Sequence, residues 1–167
     1  VQTCALPIFH IDYDVFLFKR LPGEIESGSL VKEFYELDKF RVNCKSKYLY
    51  NESVKYAYNT GVFGGNNFEV IEFYVKESLK LLFDQDNKSY WFSTDLYNNY
   101  WIYTSIVEQY WLAQCLDYLN IKPAVLLYGH PYEERCKELG YTHLMFYKND
   151  EMVKHKVKEK IKEYESI

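Results

Sequence analysis

The sequence lacks several features that would assign the chain to a broad class of protein. Its four cysteines form no Cys-x-x-Cys pair and show no zinc spacing, which predicts reduced thiols in a cytoplasmic protein. No apolar run approaches the ~20 residues of a membrane-spanning helix. The net charge of −4 argues against a general nucleic-acid or anionic-membrane surface. Neither an internal repeat nor a low-complexity linker divides the chain.

The first residues of the chain have an unusual composition. The chain has no initiator Met, and residues 1–8 resemble translated adapter sequence of the kind that contaminates some metagenomic genes. We therefore expect residues 1–8 to be a non-native leader, and the missing signal peptide carries no information. Residues 9–167, with a hydrophobic share of 48% for the whole chain, are sufficient for a single globular domain with a sizeable core.

Two carboxylates, Asp12 and Asp14, interrupt an apolar run that begins at Leu6 and predicts a buried strand. Aspartate forms strands poorly and is almost never buried without a partner. Residues i and i+2 of a strand face the same way, so the two carboxylates are expected about 6.6 Å apart. At that distance they would repel by about 2.5 kcal/mol, which a hard divalent cation would relieve. The alternative is an ordinary exposed turn or strand end.

The remaining chain alternates strand and helix patterns, which predicts an α/β fold with a mixed sheet flanked by helices. A strand is broken around Gly61, and a helix opened by Asn66 runs to near Asp84, followed by a polar stretch over 84–90. A second helix begins at the capping-box pair Ser105 and Glu108 and stops at Asn120. The later predictions are a strand over Pro123–Tyr128, a helix over Pro131–Leu139, a strand over Tyr141–Phe146, and a last charged helix capped by Asn149 or Asp150.

Three stretches together carry a resemblance to a known class of enzymes. They are His10-Ile11-Asp12-Tyr13-Asp14-Val15-Phe16-Leu17, Tyr58-Asn59-Thr60-Gly61-Val62-Phe63-Gly64-Gly65-Asn66, and Tyr141-Thr142-His143-Leu144-Met145 with Lys148 behind it. In this order, with Glu108-Gln109 between the second and third, the chain resembles the GT-A class of nucleotide-sugar glycosyltransferases, and most closely a bacterial family related to it. The resemblance covers nearly all of the chain after Ile8.

The resemblance implies a role for each matching residue. Asp12 and Asp14 would bind Mn or Mg, which grips the diphosphate of the donor, with His143 as a third ligand. The other implied roles are donor contacts at Asn59, Gly64, Gly65, Asn66 and Lys148, and catalysis or sugar contact at Glu108 and Gln109. Plainer alternatives stay open, because His143 could be a structural strand residue, the two glycines a simple turn, and Asn66 and Glu108 only helix caps.

The implied function is transfer of a sugar from a nucleotide-diphosphate donor to a glycan or other acceptor, as in polysaccharide biosynthesis. Only eleven residues precede Asp12, whereas GT-A folds build their nucleoside-binding half before this motif. The resemblance therefore implies the C-terminal part of a GT-A-like fold, which would bind the donor weakly or not at all. The alternatives are a non-catalytic glycan-binding or assembly domain and a haloacid-dehalogenase-like phosphatase, although the Gly of the phosphatase motif is replaced by Val15.

Overall fold

The computed structural model describes residues 8–12, 15–17, 30–32, 51, 53–93, 105–125, 141–143 and 150–166. Within these ranges, short strands and helices are mixed along the chain. The strands are β1 (Ile8–Ile11), β2 (Val15–Leu17), β3 (Leu30–Lys32), β4 (Tyr56–Tyr58), β5 (Val62–Gly65) and β6 (Tyr141–His143). The helices are α1 (Phe68–Phe83), α2 (Gln85–Ser93), a π-helix (Ser105–Tyr110), α3 (Trp111–Tyr118) and α4 (Glu151–Glu165).

The described strands form three separate antiparallel pairs, β1 with β5, β2 with β6, and β3 with β4. In the first pair His10 lies opposite Phe63, and in the second Val15 lies opposite His143. The predicted mixture of α and β structure is therefore confirmed. Parallel pairs, which a mixed sheet would also need, do not occur among the strands that the structure describes.

The core lies where β4 and β5 meet α1 and α3. The first six residues of α3, from Trp111 to Leu116, are all buried, and the π-helix and α3 both pack against β4. Burial of large apolar side chains is the main favourable term in folding, at about 1.5–3 kcal/mol for each one. The buried cluster consists of Val54, Tyr58, Phe63, Val70, Leu112, Ala113 and Leu116.

The N-terminus of α1 corrects one prediction. Its cap is Asn67, whose Oδ1 accepts a hydrogen bond from the amide of Val70 at 3.3 Å, and not Asn66. A cap side chain must reach an amide two or three positions ahead, and Asn67 has that spacing to Val70. Asn66 is exposed and lies between the strand and the cap.

Asp84 ends α1 as predicted, but the polar stretch that follows it is helical. The Asp84 amide donates to the carbonyl of Lys80 at 2.9 Å, while its Oδ1 accepts from the amide of Asn87 at 2.8 Å. The sequence analysis assigned no helix to the polar residues 84–90, and α2 occupies most of them. One aspartate both ends the first helix and caps the second.

Two other helix boundaries follow the predictions. Asn120 has a positive φ of 54° just after α3, and the Ile121 amide donates to the carbonyl of Leu116 at 2.9 Å. This left-handed residue is a common helix end, and Asn tolerates the conformation better than most residues. Asp150 caps α4, because its Oδ1 accepts from the Met152 amide at 2.9 Å.

Several predicted elements lie wholly or partly outside the described residues. They include the helix over Pro131–Leu139 and the ends of two strands, over 126–128 and 144–146. Of the strand predicted over Pro123–Tyr128, the described part contains a single bridge residue, Val125. No helix in the described ranges is both long and apolar enough to cross a membrane.

Candidate functional site

The strand predicted to carry both aspartates is divided by a turn at Asp12. The amide of Asp12 continues the β1–β5 ladder by donating to the carbonyl of Gly61 at 2.9 Å. The Asp12 carbonyl then accepts from the amide of Val15 at 3.1 Å, which is the i to i+3 bond of a β-turn. Aspartate is favoured at the first position of such turns. The continuous strand is therefore wrong, and Asp14 lies outside the described residues.

His10 is the side-chain partner of Asp12. Its Nε2 donates to Oδ1 of Asp12 at 2.8 Å, and the side chains are 65% and 38% exposed. The two residues are separated by two positions, so they project from the same side of β1 and its extension. The rule that we applied to Asp12 and Asp14 holds for His10 and Asp12. Applied to the residue two positions before Asp12, it would have added His10 to the predicted site residues.

Glu108 lies near this pair. Partial burial of its carboxyl raises the pKa of Glu108, the charge of Asp12 raises it further, and His10 lowers it. Asp12 and His10 affect the carboxyl in this way because they are close to it, even though much of the Glu108 side chain remains exposed. Glu108 belongs to the π-helix, a rare form that occurs frequently at functional sites.

Tyr74 of α1 connects the π-helix to the strand pair. Its hydroxyl donates to the backbone carbonyl of Glu108 at 3.3 Å. Its ring packs edge-on against Phe63, with ring centroids 5.4 Å apart. Burial is the main cause that raises the pKa of the Tyr74 phenol, and the charge of Glu108 is the second. The hydroxyl therefore stays protonated and can donate its hydrogen bond to the Glu108 carbonyl. Phe63 lies opposite His10 in the β1–β5 pair. Tyr74 therefore contacts both the π-helix that carries Glu108 and the strand pair that carries His10.

The two glycines lie in a strand and not in a simple turn. Gly64 and Gly65 have φ angles of 150° and 144°, in a region that favours glycine. Both are buried in β5, where they lie opposite Phe9 and Ile8 of β1. The turn alternative for these glycines is therefore wrong. Their positive φ angles favour residues without a side chain, and their backbone pairs with β1.

The two asparagines predicted to contact a sugar have different surroundings. Asn59 is 2% exposed, and its Oδ1 accepts from the amide of Gly61 at 2.9 Å, the same residue whose carbonyl binds Asp12. Asn59 therefore supports the turn at Asp12 from below the surface. Asn66 is exposed and, since Asn67 caps the helix, it is not tied to a helix end.

The C-terminal residues of the predicted site are described only in part. The backbone of His143 lies opposite Val15, which brings β6 to the residue that closes the Asp12 turn. The His143 side chain and Lys148 lie outside the described residues, while Gln109 is half-buried beside Glu108. Among the side chains that the structure describes, no group of three His, Cys, Asp or Glu residues forms a metal site.

The chain was compared with known families, curated proteins and solved structures. No curated protein matches it, and no solved structure matches it. One protein family matches residues 2–166, which is nearly the whole chain. The chain therefore belongs to this family, which is described as a family of unknown function (DUF6734).

Proposed function

We propose that the protein is a metal-dependent glycosyltransferase that moves a sugar from a nucleotide-diphosphate donor to a glycan acceptor. The observation that carries this proposal is the hydrogen bond between His10 and Asp12 at the end of the β1–β5 ladder, with the Glu108 carboxyl near enough to interact with both groups. Partial burial raises the pKa of Glu108 and the charge of Asp12 raises it further, so the ionised carboxyl is held there at a cost to folding. Groups placed against their own stability are typical of functional sites.

The oxygen atoms that the turn offers suit a divalent ion. The Asp12 carboxylate is accessible to solvent and sits at the end of a ladder that fixes its backbone. Carboxylate oxygens suit Mg²⁺ and Mn²⁺, and we propose that Asp14 and His143 complete the ligand set. When bound, the ion would act as a Lewis acid toward the diphosphate of the donor.

Glu108 is the proposed general base of the reaction. A carboxylate with a raised pKa accepts a proton more readily near neutral pH than an ordinary glutamate does. Its proposed role is to take the proton from the acceptor hydroxyl as that oxygen attacks the sugar. Tyr74 holds the backbone of Glu108, and the half-buried Gln109 is the proposed contact to the transferred sugar. Lys148 remains the proposed phosphate contact.

The test is release of nucleoside diphosphate from a panel of nucleotide sugars, with and without Mn²⁺. We expect release only with the ion, at the low rate that weak donor binding allows, and the variant Asp12→Asn should abolish it by removing the charged ligand. The control is Asp86→Asn, which neutralises an exposed aspartate in the first turn of α2 and should leave release unchanged.

Three other outcomes would contradict the proposal. Binding of glycans without any release would favour a non-catalytic glycan-binding or assembly domain of the same fold. Hydrolysis of p-nitrophenyl phosphate that depends on Asp12 would favour a phosphatase. Release that is equal with and without the ion, or equal in the Asp12 and Asp86 variants, would remove the role given to Asp12.

A further inference from the structure

We infer that His10 is itself a ligand of the ion, so that Nε2 of His10 and Oδ1 of Asp12 are two of the atoms that bind it. This inference rests on the proposed function for the existence of an ion site. It goes beyond it by adding a ligand outside the three predicted ones. It also specifies the kind of ion, because a nitrogen ligand favours transition metals over Mg²⁺.

The distance between the two atoms supports this assignment. Nε2 of His10 and Oδ1 of Asp12 are 2.8 Å apart. Two ligand bonds of about 2.1 Å that meet at a right angle place their ligand atoms about 3.0 Å apart. The hydrogen-bonded pair therefore already has nearly the separation of two adjacent ligands. An ion would displace the Nε2 proton of this hydrogen bond, and the imidazole would turn so that the Nε2 lone pair points at the ion beside Oδ1.

The backbone below the pair fixes this separation. His10 lies in β1 opposite Phe63, and the Asp12 amide is bonded to Gly61 on the same strand segment. Asn59 in turn holds Gly61 through the amide of that residue. Both side chains thus project from a paired, supported segment, and positions held by rigid elements give the accurate geometry that an ion requires.

The local charge and the exposure also favour a cation at this place. The side chains are open to solvent, at 65% for His10 and 38% for Asp12, so an ion can reach both atoms. The carboxyl of Glu108 lies near enough for its pKa to respond to both residues, and its negative charge adds to the attraction.

A second histidine–carboxylate pair provides an internal control. His155 and Glu159 of α4 are separated by 3.2 Å on consecutive turns of an exposed helix. This pair has the same two chemical groups as His10 and Asp12, but it spans two turns of a highly charged helix and does not lie on a paired strand segment. It represents an ordinary surface ion pair and should contribute nothing to binding of an ion at the turn.

The experiment is titration of the full chain with Mn²⁺ alone, followed by calorimetry and by pulsed electron paramagnetic resonance. The electron spin echo of bound Mn²⁺ should be modulated by an imidazole nitrogen. The variant His143→Gln removes the other proposed nitrogen ligand, so the remaining modulation should come from His10. It should vanish in His10→Gln/His143→Gln. His10→Gln alone should weaken Mn²⁺ binding about 10–100-fold and Mg²⁺ binding much less, whereas His155→Gln should change neither.

The possible failures are distinguishable. If His10→Gln weakens Mn²⁺ and Mg²⁺ equally while the modulation in the His143→Gln background persists, His10 only positions Asp12 and the inference is wrong. If Mn²⁺ binding depends on Asp12 but not on His10, the inference is wrong and the proposed function stands. If the unmodified chain binds no Mn²⁺, both are overturned. Circular dichroism of each variant confirms that it is folded.

Discussion

Two polar clusters of this molecule, one inside and one at the surface, are built in opposite ways. The inner cluster consists of Asn51, Gln114 and Asp117. Gln114 is fully buried, its Oε1 accepts from the Asn51 amide at 2.8 Å, and its Nε2 donates to the Asn51 carbonyl at 3.3 Å. The side-chain amide of Asn51 donates to Asp117 at 2.7 Å. Donors and acceptors meet in complementary pairs, as stable interiors require.

The rim cluster consists of His10, Asp12 and Glu108. Its hydrogen bond joins the exposed side chains of His10 and Asp12, while partial burial and then the charge of Asp12 raise the pKa of Glu108. The inner cluster satisfies polar groups that folding has buried. The rim cluster holds two carboxylates near each other, which folding alone does not favour. The comparison indicates that the first cluster serves stability and the second serves binding, and the following variants test that division.

The largest effect should come from Gln114→Met. Methionine has a similar unbranched shape but cannot bond to either backbone group of Asn51, and each unpaired buried group costs about 1–3 kcal/mol. We expect the free energy of unfolding to fall by about 3 kcal/mol in urea denaturation, with Mn²⁺ binding unchanged. Gln85→Met, at the exposed start of α2, is the control and should stay within about 0.5 kcal/mol. Equal stabilities of the two variants would mean that the hydrogen bonds of Gln114 do not stabilise the fold.

A smaller effect is expected from Tyr74→Phe. It removes the bond to the Glu108 carbonyl but keeps the ring against Phe63, so about 1 kcal/mol of unfolding free energy should be lost. Release of nucleoside diphosphate should fall several-fold, because the π-helix is held less firmly. Tyr118→Phe is the control, since that ring is exposed and stacks on Phe73. If both variants behave alike, Tyr74 does not position Glu108.

The smallest effect on stability should come from Glu108→Gln, and it depends on pH. A raised pKa means that the folded chain holds the proton longer than the unfolded chain, so stability falls as pH rises from 4.5 through the folded value. The variant should thus be more stable at neutral pH, by no more than about 0.5 kcal/mol, and the gain should vanish in acid. Activity should fall about 100-fold if Glu108 is the base.

Glu151→Gln is the matched control, because the pKa of Glu151 is lowered whereas that of Glu108 is raised. The hydrogen bond and charge of Lys154 lower the pKa of Glu151, so this residue stabilises the fold above pH 4.5 and loses its effect as pH falls through its folded value. Its replacement should therefore not stabilise the chain at neutral pH. A gain of stability in both variants would mean that reduced total charge, and not the rim cluster, explains the result.

The sequence predicted those features that depend on a few neighbouring residues. The helix ends at Asp84, Asn120 and Asp150 are local, because a cap bonds to backbone within about four positions. The helix α2 was missed because its residues are polar and not periodic. It is supported by the Asp84 cap and by Asn87, whose buried amide donates to the Leu81 carbonyl at 3.2 Å.

The arrangement of the candidate site could be predicted only in part. Asp12 and Glu108 were identified by residue type and by resemblance, but their proximity depends on how distant segments pack. The rule that residues i and i+2 of a strand face the same way would have predicted the pairing of His10 with Asp12. It was missed because the strand was extended through Asp14, and the rule was applied to Asp12 and Asp14 instead. The π-helix was not predictable, since its bonding register leaves no clear periodicity in a stretch of six residues.

The pairing of β2 with β6 has a consequence for the order of folding. Val15 and His143 are opposite each other in this ladder although most of the chain separates them in sequence. Closing so large a loop carries a high entropic penalty, and contacts of this kind form slowly. During synthesis β2 must wait for β6 to leave the ribosome. The strand that follows Asp12 is therefore completed late, when the elements between β2 and β6 are already available as a scaffold.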